Sequence, residues 1–257
     1  QITNSRLKII DYYKASKKII NNRFFIRENF KKFFNIHPKT KIYFLDHHLS
    51  HASSAFYPSA FSDSAILTID AVGEWATTTI AHGSNNKIKI LKSINFPNSV
   101  GLLYSAFTSY CGFKVNSGEY KLMGLAPYGK PNYYDILKNK ILKIFEDGSI
   151  KLNLKYFNFR FEQKIFTDHL TKELGFPPRL EDQNISQEYC DLASSIQKIV
   201  EEIVINLAYH AKKITNSSNL VMAGGVALNC VANGKLYFKK IFKNIWIQPA
   251  SGDAGGA

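Results

Sequence analysis

Three histidines fall within five residues in the stretch Asp46-His47-His48-Leu49-Ser50-His51-Ala52-Ser53-Ser54-Ala55-Phe56. If the chain is helical from His47 onward, His47 and His51 stand at i and i+4 and present their imidazoles on one face. Two neutral imidazoles at that spacing can reach a single metal ion. His48 points elsewhere. A pair is not a complete site, so further ligands must come from other parts of the chain.

Acids and glycines recur where strands are expected to end. Ala65–Asp70 is an apolar run of strand length with an acid at its carboxyl end, and Ala76–Ala81 is a second run rich in β-branched residues. The intervening Ala71-Val72-Gly73-Glu74-Trp75 contains a glycine, which predicts an antiparallel hairpin. Ser84-Asn85-Asn86 predicts another turn, and Lys87–Ser93 a third strand. Such a meander with an acid in its first turn resembles the opening of each half of actin-like and Hsp70-like ATPase domains, where the turn holds phosphate or metal. Farther on, Asn219–Ala223 reads as a buried strand running into Gly224-Gly225 and then a helix that includes Asn229. Glycines there let backbone approach a ligand, and free N–H groups at the helix start favour an anion. Asp253 lies just past a last predicted strand, Asn244–Gln248, in another Gly-rich turn. The Gly- and Pro-punctuated stretch Ser117–Gly129 predicts a ligand-contacting loop carrying Glu119 and Lys121. Lys121 is there either to meet a phosphate or as an ordinary exposed lysine.

The elements that must position these residues can be read around them. Residues 5–34 predict one or two basic amphipathic helices packed on a sheet, broken at Pro38. Lys41–Leu45 predicts a short strand leading into the histidine helix, which Pro58 and Ser62–Ser64 end. Residues 100–111 predict a short apolar helix. Residues 131–185 are rich in Lys, Asn and Phe and read as a variable insertion, with a helix near 133–146, a hairpin at Asp147-Gly148 and a loop ending at Pro177-Pro178. Ser186 opens the strongest helix, striped by Tyr189, Leu192, Ile196, Ile199, Val200, Ile203, Leu207 and Ala211. The fold class expected is α/β.

The 257 residues are 45% hydrophobic and 14% aromatic, which marks a globular chain with a sizeable core. The net charge of +13 comes mostly from Lys spread along the chain, so a solvated basic surface is expected rather than a nucleic-acid patch. No apolar run has membrane-spanning length and no signal-peptide pattern follows Gln1. Cys111, Cys190 and Cys230 lack metal or disulfide spacing, which points to a reducing, cytoplasmic compartment.

Five blocks together carry a family resemblance: His47–Phe56, Asp70–Thr77, Lys121–Ala126, Ala223–Asn229 and Ser251–Gly255. They resemble, in order, the O-carbamoyltransferase family, which includes the nodulation-protein U type and enzymes that carbamoylate antibiotics. The resemblance implies an actin/Hsp70-like (RNase H-like) two-subdomain fold related to the tRNA threonylcarbamoyl-transferase. Residues 1–185 would form the first subdomain and 186–257 would start the second. A YrdC-like domain, present in complete members, has no counterpart here, nor does the family's opening strand hairpin, so an internal piece of the transfer domain is expected. The implied chemistry uses carbamoyl phosphate and ATP to make carbamoyl-adenylate and then transfers the carbamoyl group to a hydroxyl of a small molecule or sugar. The implied metal ligands are His47, His51, Asp70 and Asp253, holding iron(II) or else manganese or zinc. The implied nucleotide contacts are Gly73, Glu74, Thr77, Lys121, Gly224, Gly225 and Asn229. His48 is a candidate for taking the hydroxyl proton, with a structural role as its rival, and the acceptor surface is expected in 131–185 and the missing domain. A tRNA-modifying relative and a non-catalytic nucleotide- and metal-binding module are the alternatives.

Overall fold

The alternation of side chains along Asp63–Ile69 (β1) sets the architecture, because both faces of this strand are buried. Ala65, Leu67 and Ile69 belong to the larger core, whereas Ile66 joins a second, smaller cluster on the opposite face. The computed structural model describes residues 25–37, 39–159 and 165–253. It divides into two compact units, residues 1–45 and 46–257.

In the first unit, α1 (Ile26–Phe33) has Glu28 in its first turn and Lys31 and Lys32 in its last, complementing the helix dipole. It buries none of its residues. The rest of the expected basic helix, residues 5–24, and the break at Pro38 lie outside the described residues. Lys41–Leu45 is not a strand: it has no ladder partner among the described residues, and Tyr43, Phe44 and Leu45 are exposed.

The second unit is an α/β sheet with helices on both faces. After α2 (His47–Phe56), strands β1, β2 (Ala76–Ser84) and β3 (Lys87–Asn95) form the expected antiparallel meander. Ser99 caps α3 (Val100–Tyr110), accepting from the Leu102 N–H. The expected loop at Ser117–Gly129 contains instead a helix, α4 (Glu119–Leu125). Gly124 within it would meet nothing within 4 Å if it bore a Cβ, so that glycine marks an open surface and no turn.

The described residues of 131–185 fold onto the main core. A helical turn, Tyr134–Ile136, passes into a wider turn, Leu137–Ile141, and the expected longer helix ends there because the chain enters β4 (Leu142–Ile144). β4 pairs with β5 (Ile150–Leu152) across Asp147-Gly148, and α5 (Asp168–Leu174) follows. Leu137, Ile141, Leu152 and Leu170 are buried with the long helix α6 (Gln187–Thr215), which ends at Asn216 in a left-handed conformation.

β6 (Asn219–Ala223), α7 (Cys230–Phe238) and β7 (Asn244–Ile247) complete the unit. β6 lies parallel to β1 and β7 parallel to β6, giving the strand order β3-β2-β1-β6-β7. The strands beyond residue 185 therefore continue the sheet that β1–β3 begin. Leu220 and Met222 face α3 and α6 in the larger core, while Val221 and Ala223 join Ile66 and α2 residues Ala52, Ala55 and Phe56 on the other face. No helix among the described residues is long and apolar enough to cross a membrane.

Candidate metal centre

Helix α2 begins where it must for its histidines to reach the sheet. Asp46 caps it by accepting from Leu49 N–H at 2.9 Å, and Glu74 in the β1–β2 turn accepts from His47 N–H at 3.2 Å. Gly73 brings that turn against the histidines: a Cβ on it would lie 3.0 Å from the His47 Cβ and 3.2 Å from His48 Cδ2. The first turn of α2 is thus held over the carboxyl end of β1.

There four side chains converge. Asp70 Oδ2 lies 3.0 Å from His47 Nε2 and 2.8 Å from His51 Nε2, and the two Nε2 atoms are 3.1 Å apart. Asp253 Oδ1 approaches them at 3.5 and 3.3 Å. All four ligand atoms lie within 4.8 Å of one another, the one such group of His, Cys, Asp and Glu among the described residues. An ion about 2.1 Å from each ligand would set neighbouring ligands roughly 3.0 to 3.4 Å apart, for octahedral or tetrahedral geometry. The observed spacings, 2.8 to 3.5 Å, lie within about 0.2 Å of that range. Two imidazole nitrogens in contact, both facing one carboxylate oxygen, crowd any protons they carry, whereas one shared cation satisfies all three lone pairs. His51 Nδ1 is buried and unpartnered, so Nε2 is the nitrogen that ring offers.

The surrounding backbone turns Asp70 to its task. Its Oδ1 accepts from Ala71 N–H at 2.7 Å and from Gly225 N–H at 3.3 Å, leaving Oδ2 for the histidines. Burial opposes ionisation of Asp70, but the hydrogen bonds from His51, His47 and Ala71 prevail and hold its carboxyl well below the usual carboxylate range. Gly224 has φ +92°, and its Cβ position would fall 2.3 Å from Ile69 O, so only glycine allows the turn to press on β1. Its N–H donates to Ser251 O at 2.7 Å, which brings Asp253 back to the site.

The ligand cluster borders a cavity of about 640 Å³. Asp70, Asp253, Gly225 and Asn229 line it, together with Tyr104, Ser105, Glu119 and Met123, which come from α3 and α4. Asn229 is buried, caps α7 at Ala232 N–H and exchanges hydrogen bonds with Gln197. Glu119 accepts from Ser105 Oγ and Asn116 N–H at 2.9 Å each and from Gly118 N–H at 3.2 Å.

Several expected contacts are placed differently. Thr77 is fully buried and its hydroxyl is taken by Ile94 O and Asn98 O, so it ties β2 to the next segment and does not line the cavity. Lys121 projects to solvent from α4 and does not line the cavity. Gly73 and Glu74 support α2 from beneath, and neither lines the cavity. His48 is fully buried with both nitrogens engaged: Nε2–H donates to Ala76 O at 2.9 Å, and Nδ1 meets Thr68 Oγ1 at 2.7 Å. Burial pushes its pKa down, and neither nitrogen is free to take a proton from a ligand. No described residue of 131–185 lines the cavity, so the acceptor surface expected there is not part of it. Sequence reasoning missed Tyr104 and Ser105, which looked like ordinary residues of an apolar helix.

These features define an α/β domain with a mixed nitrogen and oxygen ligand cluster at the rim of a cavity large enough for a small-molecule ligand. The chain belongs to the carbamoyltransferase family: residues 6–257 match the carbamoyltransferase N-terminus. It is 50% identical over 214 residues to the uncharacterized Synechocystis protein sll1178, covering 83% of this chain and 35% of that one. It is 38% identical over 218 residues to the nodulation protein NolNO of Sinorhizobium fredii, covering 85% of this chain and 30% of that one. A more distant relative, the tRNA N6-adenosine threonylcarbamoyltransferase of Thermosipho africanus, is 30% identical over 109 residues, 42% of this chain and 31% of its own. The chain thus spans about a third of the length of these relatives.

Proposed function

We propose that this chain is the transfer domain of an O-carbamoyltransferase, moving a carbamoyl group from carbamoyl-adenylate to a hydroxyl of a small-molecule or sugar acceptor. Carbamoyl-adenylate would be made from carbamoyl phosphate and ATP by a YrdC-like domain elsewhere in the full-length protein. The strand order, an antiparallel triplet continued by two parallel strands, supports an actin-like reading of the fold. The observation that carries the proposal is the convergence of His47, His51, Asp70 and Asp253 at the rim of the cavity.

In this reading those four side chains hold one divalent ion, iron(II) first, manganese or zinc otherwise, with two carboxylates offsetting its charge. The ion supplies a Lewis acid for a phosphate or carbonyl oxygen. The protein's own contribution is orientation. Ala71 and Gly225 N–H groups fix the Asp70 carboxylate, and the capped first turn of α2 fixes the imidazoles. In the transfer, the acceptor oxygen bonds to the carbamoyl carbon, the bond from that carbon to the phosphate oxygen breaks, and AMP departs. Glu119, the cavity carboxylate outside the ligand cluster, has a lone pair left on Oε2 and in this reading takes the hydroxyl proton as the new bond forms.

Metal analysis of the purified protein tests the proposal, with His47→Ala and His51→Ala alongside. Stoichiometric metal in the parent and its loss in both variants is expected. Metal content unchanged by either substitution would sink the reading.

A further inference from the structure

Tyr104 and Asn229 both line the cavity, but their polar atoms are governed by residues behind them. The Tyr104 hydroxyl donates to Gln197 Oε1 at 3.0 Å. Asn229 and Gln197 meet amide to amide, Nδ2 to Oε1 at 2.9 Å and Nε2 to Oδ1 at 3.0 Å. Gln197 Nε2 also donates to Glu201 Oε1 at 3.1 Å, and the other oxygen of Glu201 pairs with Lys235. Gln197 and Glu201 are 4% and 5% exposed, and neither lines the cavity.

The direction of this chain is set at both ends, by the Ala232 N–H at Asn229 and by Glu201 at Gln197. A carboxylate only accepts hydrogen bonds, so Glu201 compels Gln197 to turn its amide nitrogen toward it. Gln197 Oε1 must then face Tyr104 and Asn229. Asn229 is left with its nitrogen toward Gln197 and its oxygen toward Gln197 Nε2 and Ala232 N–H. A reversed Gln197 would set its carbonyl against the Glu201 carboxylate, two acceptors facing each other with no proton between them. Lys235 pairs with the other oxygen of Glu201 and holds that carboxylate in place.

We propose that Gln197 is a positioning residue for the cavity: the Lys235–Glu201 pair fixes its amide, and its amide, together with the Ala232 N–H at Asn229, fixes which atoms of Tyr104 and Asn229 a bound ligand meets. This extends the reading of the cavity as the carbamoyl-adenylate site, yet the orientation itself can be measured without any ligand.

The experiment has two arms on the purified chain, with Gln197→Met, Gln197→Glu and Glu201→Gln. In the first arm, the Asn229 side-chain amide is followed by NMR after selective asparagine labelling, assigned through Asn229→Asp. The parent should give one slowly exchanging amide pair, and Glu201→Gln and Gln197→Met should shift it and speed its exchange. In the second arm, AMP is the probe, and Gln197→Met should weaken its binding on the order of tenfold at every pH.

Gln197→Glu separates positioning from simple packing. Protonated, the new carboxyl can donate to Glu201 and accept from Tyr104 and Asn229. Ionised, it loses its donor and faces Glu201. The charged and titratable groups around it are Glu201 on α6, Lys235 on α7 and Tyr104 on α3, with Glu119 on α4 acting on Tyr104. Burial and Glu201 raise the new carboxyl's pKa, so AMP binding by Gln197→Glu should be near parental at low pH and fall as pH rises, while Gln197→Met stays flat. An Asn229 amide unmoved by Glu201→Gln, or identical pH profiles for Gln197→Glu and Gln197→Met, overturns the positioning role. Failure of the parent to bind AMP counts against the reading of the cavity, and the NMR arm still decides the positioning.

Discussion

Two adjacent histidines in one helix should respond to alanine in opposite ways. His48→Ala removes a fully buried imidazole together with its bonds to Ala76 O and Thr68 Oγ1. Each bond contributes about 1 kcal/mol net, and the vacated space adds about 2 kcal/mol, so the loss is roughly 4 kcal/mol. For a chain of this size that lowers Tm by about 8–16 °C. His47→Ala removes a side chain that is 21% exposed and whose Nε2 faces only the ligand cluster, so the metal-free protein should lose about 1 kcal/mol or less. Thermal unfolding in excess chelator isolates these effects, and metal titration of the folded variants completes the comparison. His48→Ala should bind metal within about tenfold of the parent wherever it is folded, as expected for a residue one step behind the ligands. His48→Gln, which can still donate to Ala76 O, should recover part of the stability. The reasoning is refuted if His48→Ala melts with the parent in chelator, or if His47→Ala melts as low as His48→Ala.

Two further outcomes follow from the backbone and from a buried acid. Gly224→Ala should cost about 3 kcal/mol or more in denaturant unfolding, because a Cβ at φ +92° would sit 2.3 Å from Ile69 O; a near-neutral result would show the turn to be adaptable. Burial raises the Asp191 pKa, but hydrogen bonds from Lys130 N–H, Gln187 and Asn132 outweigh it, so the folded-state value is depressed. The sign follows: its stabilisation is present above the unfolded carboxylate pKa, about 4, and is lost as pH falls below it. Urea unfolding at pH 3 and pH 6 should therefore show a smaller acid-induced loss for Asp191→Asn than for the parent.

Local signals carried most of the fold. Alternation and turn residues located the β1–β2–β3 meander, and the apolar stripe from Tyr189 to Ala211 located α6, because those patterns are decided within one element. The i, i+4 spacing placed His47 and His51 on one face for the same reason. Where reading failed, the deciding partner lay far off in the chain. Lys41–Leu45 has strand-like residues but no strand to pair with among those described. Thr77 sits next to the site turn, yet its hydroxyl is claimed by Ile94 and Asn98. His48 could not be told from its neighbours until Thr68 and Ala76 were seen to enclose it. Glycines misled at α4, where Gly118 precedes the helix and Gly124 lies inside it without making a turn.

The ligand cluster also has an uneven history along the chain. His51 and Asp70 are separated by 70 − 51 = 19 residues, and Asp70 and Asp253 by 253 − 70 = 183. Bringing Asp253 home costs about 2 kcal/mol more chain entropy than pairing His51 with Asp70. Three members of the cluster can therefore meet as soon as the meander and α2 dock, before Asp253 is in place. The fourth arrives only after β6 has aligned beside β1, making closure of the cluster a late event in folding and a report that the parallel half of the sheet is in register.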